Sequence, residues 1–261
     1  MVSTVQNSDV RQKDVDHAVV VAVTSRALFE SDTEEDGDGA YAAGVAFPLL
    51  QALQRVNEQL LQRNPAESLL FDVVLMTTDS QQQQSSRFMS STRHHGLEVT
   101  RFCFSSEEDF IESLLKNNIQ LFLTTDENEV LQATQKGVPS VLLDEHSAVC
   151  SSEQLRVLFC ENAIIRPSSD PTPASRQAAQ SFSSQLGKMR QKFGMFDSPL
   201  CFTLVTLRGG KDSCCGALKA LRSIGVSVDE AYCLAGAPRS PILSLLRPHF
   251  LLSDGFSNLD D

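Results

Sequence analysis

Short apolar runs rich in Val, Leu and Phe recur along the chain, and segments of helical periodicity lie between them. Unbroken apolar runs suit strands buried on both faces, and crossover helices provide that cover in a parallel sheet. A first group comprises Ala18–Val23, Asp72–Met76, Val99–Phe104 and Gln120–Leu123. A second comprises Arg156–Phe159, Phe202–Val205, Ala231–Leu234 and His249–Leu252. Pro48–Gln62 carries Leu49, Leu53, Val56 and Leu60 at helical spacing, and Cys215–Ile224 carries Leu218 and Leu221. The pattern predicts an α/β fold with a mainly parallel sheet flanked by helices.

The two groups end alike. The second strand of each runs into Thr (Met76-Thr77 and Val205-Thr206), and the fourth ends near an Asp (Asp126 and Asp254). Two similar α/β halves are therefore expected: a flexible polar tail over residues 1–16, an N-terminal half over 17–150 and a C-terminal half over 151–261. Glu30–Gly39 is rich in Asp and Gly but lacks the alternating register of a calcium loop, so it reads as a solvated acidic loop. Gln81–Gln84 is a short polar tract, and Pro167–Pro173 with the Ser- and Ala-rich residues after it reads as a linker or a shortened insertion. Ligands of parallel sheets bind at the carboxyl ends of the strands, so the loops there hold the candidate chemistry.

Charge and cysteine usage narrow the function classes. A net charge of −11 argues against a nucleic-acid surface, which needs clustered Lys and Arg. Seven cysteines, no Cys-x-x-Cys pair and no secretory pattern predict free thiols in a cytoplasmic protein. The longest apolar run, Ala18–Val23, is far too short to span a bilayer, so no membrane partner is expected.

The stretch Leu155–Ile165 reads as a buried strand entering the polar turn Cys160-Glu161-Asn162. Cys160 and Arg166 match the Cys-x5-Arg spacing of cysteine phosphatases, but the intervening Ala163-Ile164-Ile165 is apolar and Gly-free, and coincidence explains the match better. Arg208-Gly209-Gly210-Lys211-Asp212-Ser213 resembles the pyrophosphate loop of ATP pyrophosphatases, which makes an ATP-binding protein a minor alternative. Its plain reading is a strand-to-helix turn. Cys214 and Cys215 lack further ligands at metal spacing and read as helix thiols. His94 and His95 before Gly96 read as a helix end, and His249 as structural. Thr24-Ser25-Arg26 is a polar turn placed either to touch an anion or to cap the next helix.

The order of strand tips in the second half is Cys160-Glu161-Asn162, then Thr206, then Arg239 in a Gly-Pro loop, then Ser253-Asp254. It resembles the Rossmann-like layout of the haloacid-dehalogenase phosphatases. In that chemistry one Asp attacks phosphorus, a second protonates the leaving oxygen, and Mg²⁺ with a cationic side chain offsets the charge. The segments His17–Phe29, Phe71–Thr77, Leu204–Thr206 and Asp229–Leu243 are similar, more narrowly, to the cytosolic 5'-nucleotidase type I family, from about His17 to Asp254.

That resemblance implies a Mg²⁺-dependent nucleoside 5'-monophosphate hydrolase fold acting chiefly on AMP. It places Cys160 at the nucleophile position and Asn162 at the acid/base position. Thr206 stands at the phosphate-contacting hydroxyl, Arg239 replaces a Lys, and Ser253 replaces the first of two metal carboxylates, of which Asp254 keeps the second. Thr24, Ser25, Arg26, Thr77 and Arg208 are the candidate substrate contacts. With three of four carboxylates gone, Mg²⁺ has a poor anchor and Asn162 cannot carry a catalytic proton. The resemblance therefore implies a disarmed nucleotidase. Its alternative role is a nucleotide- or partner-binding regulator, as a homo-oligomer or associated with an active relative.

Overall fold

The computed structural model describes residues 2–30, 40–78, 85–143, 153–160, 173–194, 197–208 and 211–252. The chain divides into two compact units, Met1–Ser147 and Ala148–Asp261.

In the first unit, β1 (Ser3–Gln6), β2 (Val19–Thr24), β3 (Phe71–Thr78), β4 (Val99–Ser105), β5 (Leu121–Thr124) and β6 (Ser140–Leu142) form one sheet in the order β1-β4-β3-β2-β5-β6. Its helices are α1 (Ser25–Leu28), α2 (Phe47–Arg63), α3 (Ser85–His94), α4 (Phe110–Lys116) and α5 (Glu127–Gln135). The pairings from β4 to β6 are parallel. Every residue of β2 is buried, as an uninterrupted apolar run requires. On one face Val20, Ala22, Val74, Met76, Cys103 and Phe122 pack with Phe110 and Leu114 of α4 and Ala133 of α5.

Leu49, Leu50, Leu53, Val56 and Leu60 form the buried stripe of α2, which begins with Pro48 in its first turn. Asn57 interrupts that stripe for a reason. Its amide donates to the Phe71 carbonyl at 2.8 Å and accepts from the Phe71 N–H at 2.7 Å, so it closes the ladder where β3 starts.

The second unit contains β7 (Leu155–Cys160), α6 (Pro173–Arg190), β8 (Leu200–Thr206), α7 (Lys211–Ser223), β9 (Glu230–Cys233), α8 (Ser240–Leu246) and β10 (Phe250–Leu252). Its sheet is parallel throughout, in the order β10-β7-β8-β9. Gly187 of α6 lies so close to the following turn that a Cβ there would meet the Gly225 carbonyl oxygen at 2.4 Å. Only a residue without a side chain lets helix and turn meet.

The two sheets share one strand order. In each, the first strand lies between the second and the fourth, and the third lies outside the second: β4-β3-β2-β5 and β9-β8-β7-β10. Registers correspond as well. Thr24 pairs with Met76 as Cys160 pairs with Val205. Val23 pairs with Leu123 as Phe159 pairs with Leu252. Thr24 is thus the counterpart of Cys160, and Thr77 that of Thr206.

All eight apolar runs form strands, with ends displaced by at most a residue or two. Two strands escape the periodicity. Residues 3–6, expected within a flexible tail, form an antiparallel edge strand on β4. The strand is exposed at each of its four positions, so no buried face marks it in the sequence. What recruits it is the backbone of β4, which would otherwise leave donors and acceptors unpaired. Asn7 and Gln12 prolong the attachment by donating to the carbonyls of Val99 at 2.8 Å and Thr100 at 3.1 Å. The other missed strand, β6, has three half-buried residues, too few for a period.

Candidate functional site

In the C-terminal unit, Cys160 and Thr206 end adjacent strands, as the layout of strand tips requires. Beyond β9 the chain turns back over β8. Leu234 N–H donates to the Thr206 carbonyl at 2.9 Å and Gly236 N–H to the Leu207 carbonyl at 3.0 Å. Ala235 and Gly236 take positive φ values of 53° and 89° in this bend. Arg239 follows at the start of α8, half-buried, and Arg208 lies exposed past the tip of β8. Asn162, Ser253 and Asp254 lie outside the described residues, as do Glu161, Gly209 and Gly210.

Among the described residues, Cys160 packs against apolar side chains. The residue is 3% exposed and packs in a cluster with Leu158, Val205 and Leu243, against which Tyr232, Leu234, Leu246 and Leu251 are also packed. A nucleophile of the aspartate type needs a carboxylate, and this position holds a thiol packed against apolar side chains. Thr206 is fully buried, and its hydroxyl lies 3.5 Å from both the Tyr232 and Arg208 carbonyls. Its counterpart Thr77 makes the corresponding contact, to the Cys103 carbonyl at 3.5 Å. Both hydroxyls are thus parked on the neighbouring strand.

Among the described residues no group of three or more His, Cys, Asp or Glu could hold a metal ion. Mg²⁺ requires oxygen ligands in near-octahedral array, and the thiol of Cys160 among leucines does not fit it.

In the N-terminal unit, the polar turn after β2 gathers more partners than the sequence suggested. Thr24 caps α1 by accepting from Ala27 N–H at 3.3 Å, which bears out the helix-capping reading. Its hydroxyl also lies 3.5 Å from that of Thr124 at the tip of β5. Thr124 donates to Glu129 Oε2 at 2.6 Å, and Arg26 Nη2 donates to Glu129 Oε1 at 2.6 Å. Asp126 lies 4.0 Å from Arg26 and caps α5 through Asn128 N–H at 2.8 Å. Ser25, Thr77 and Ser105 add buried hydroxyls along the same carboxyl edge.

Sequence reasoning missed Thr124, Glu129 and Ser105. Thr124 carried a usable signal as the residue just past an apolar run, whereas Glu129 joins the turn only through one revolution of α5.

Burial raises the Glu129 pKa above its ordinary 4.5, and Asp126 adds to the rise, although the bonds from Thr124 and Arg26 oppose it. The folded state therefore holds this proton more tightly than the unfolded chain does. Its contribution to stability is complete below the ordinary value and is lost as pH rises through the raised one. Stability of the N-terminal unit is expected to decline over that interval, and Glu129→Gln to flatten the decline. Urea unfolding at a series of pH values checks this, and parallel curves for the two proteins would refute it.

His95 sits just past α3, where Gly96 adopts a φ of 64°, the helix end expected there. Its Nε2–H donates to the Tyr41 carbonyl at 2.7 Å and its ring meets Phe47 edge-on at 5.4 Å, so tertiary contacts hold it. His249 is structural: its Nδ1 accepts from Arg156 N–H at 3.0 Å, tying β10 to β7.

One mainly parallel and one fully parallel sheet, with polar strand tips, define the class as α/β, Rossmann-like and consistent with the haloacid-dehalogenase fold. The 5'-nucleotidase family model matches the chain over residues 11–171 and 167–261. The chain is 30% identical to cytosolic 5'-nucleotidase 1B of Homo sapiens across 288 aligned positions, which cover 94% of this chain and 47% of that relative. It therefore spans about half the length of the curated relative it matches. The chain belongs to the 5'-nucleotidase family. No helix among the described residues is long and apolar enough to cross a membrane.

Proposed function

We propose that this chain is a cytoplasmic member of its family that binds nucleoside 5'-monophosphates, AMP first among them, and has lost all or nearly all hydrolytic activity. The observation that carries the reading is Cys160. At the strand tip where a nucleophilic carboxylate is required, the chain places a thiol that is 3% exposed among leucines. Thr206 and Arg239 are the groups left to hold a phosphate there, the first through its hydroxyl and the second through charge. Thr24, Ser25, Arg26 and Thr77 are a separate set of candidate polar contacts, at strand tips within the N-terminal unit. Asn162 stands where an acid/base carboxylate is needed, and an amide neither donates nor accepts a catalytic proton. The biological role is then that of a nucleotide- or partner-binding regulator, for instance of an active relative.

Phosphate release from AMP with added Mg²⁺ tests the reading. The natural protein is expected to be silent. A variant carrying Cys160→Asp, Asn162→Asp and Ser253→Asp together is expected to recover measurable release. Turnover by the natural protein that disappears with Asp254→Ala would overturn the proposal.

A further inference from the structure

We propose that the tips of β2 and β5 form an oxyanion site for a phosphate group, built from the hydroxyls of Thr24 and Thr124 and the Arg26 guanidinium, and held shut by the Glu129 carboxylate. The inference deepens the reading of Thr24–Arg26 as ligand contacts and rests on it.

The place is the first argument. From β2 the chain proceeds to β3 on one side, while β5 flanks β2 on the other, so the strand order reverses between β2 and β5. In open α/β sheets the crevice at such a reversal, outside the carboxyl ends, is where ligands bind. The residues there break the apolar pattern of their strands. Val19 to Val23 and Leu121 to Leu123 are wholly apolar and buried, then Thr24, Ser25 and Thr124 follow, at most 3% exposed. Two strands away, at the tip of β4, the Ser105 hydroxyl is fully buried and has no hydrogen-bond partner among the described residues.

The second argument is chemical. The donors at this crevice already hold an oxyanion. Glu129 receives Thr124 Oγ1–H on one oxygen and Arg26 Nη2–H on the other, each at 2.6 Å. A hydroxyl and a guanidinium converging on two oxygens of one anion is the arrangement that also recognises phosphate. The carboxylate is a poor permanent occupant. Its side chain is 15% exposed beside Asp126, whereas the Arg26 side chain is 45% exposed and reaches solvent without leaving the crevice. Burial favours the protonated form of Glu129, and protonation weakens its claim on Arg26.

A phosphate entering here would take over the Thr124 and Arg26 donors, and Glu129 would move to water. No bond forms or breaks in the ligand, so the site binds without catalysis. The α5 N-terminus plays no part, because Asp126 already occupies the N–H groups of Asn128 and Glu129.

Calorimetric titration with inorganic phosphate and, separately, with AMP tests the site in the natural protein and in Glu129→Gln and Glu129→Ala. Removing the competing carboxylate, which holds both donors through charge-assisted bonds, is expected to tighten binding about tenfold or more. Adding Arg26→Ala is expected to abolish the gain, and the Arg26 Nε–H resonance is expected to shift on saturation. A gain with both ligands identifies the phosphate group as sufficient, and a gain with AMP alone identifies a nucleoside monophosphate. No gain with either, in both Glu129 variants, overturns the inference. AMP binding that is lost in Thr206→Val but indifferent to Glu129 and Arg26 also sinks it, while sparing the function proposed above. The reverse pattern supports this site and removes Thr206 from the phosphate contacts proposed above.

Discussion

The single replacement Cys160→Asp is expected to destabilise the C-terminal unit by about 3–5 kcal/mol and to produce no phosphate release from AMP. The new carboxylate would enter the cluster of Leu158, Val205 and Leu243, where the native thiol is 3% exposed. An ionised group set against those apolar side chains is costly, and the protonated form leaves a hydroxyl among them. A lone Asp also lacks a second carboxyl for proton transfer, since residue 162 remains Asn. Loss of hydrogen-exchange protection in β7 and β8, with protection of β2 and β3 unchanged, is the expected signature. A variant as stable as the natural protein would show that the tip of β7 opens to water and that the apolar reading of the site is mistaken.

Asp72→Ala is expected to cost the N-terminal unit a similar amount, about 3–5 kcal/mol. Asp72 and Arg101 face each other across β3 and β4 with Oδ2 and Nη2 2.6 Å apart, and their side chains are 7% and 16% exposed. The second carboxylate oxygen accepts from the Thr100 hydroxyl. Removing the carboxylate strands a guanidinium whose other partner among the described residues is Asn117 at 3.5 Å. The cost belongs to breaking the pair, not to lacking it, so Asp72→Leu with Arg101→Met should stay within about 1 kcal/mol of the natural protein. Exchange protection of the β3 and β4 amides measures both variants. Equal losses in the two would mean that the pair itself holds the strands together.

These two sites differ in what the sequence could show. Asp72 was placed at the start of a strand from its neighbours alone, but its partner was not legible. Arg101 lies 29 positions away, and only the parallel pairing of β3 with β4 brings the two together. The location of Cys160 at a strand end was legible. Its enclosure was not, because Leu243, Leu246 and Leu251 come from α8 and β10, more than 80 residues further on.

Local chemistry determined the rest. Uninterrupted runs such as Val19–Val23 admit one economical burial, inside a sheet covered on both faces, so the strands and the α/β class follow from the sequence alone. The 3.6-residue spacing of Leu49, Leu53, Val56 and Leu60 likewise dictates α2. Tertiary structure decided which strands became neighbours, and with that every polar contact made across the sheet. It drew residues 3–6 into β1, whose four side chains are exposed, because the open backbone edge of β4 attracts any extended segment within reach. It also joined Thr24 to Thr124 and Arg26 to Glu129, residues about 100 positions apart. Periodicity records which face of an element is buried. A strand-tip site depends on which elements lie side by side, and that is settled only when the whole sheet closes.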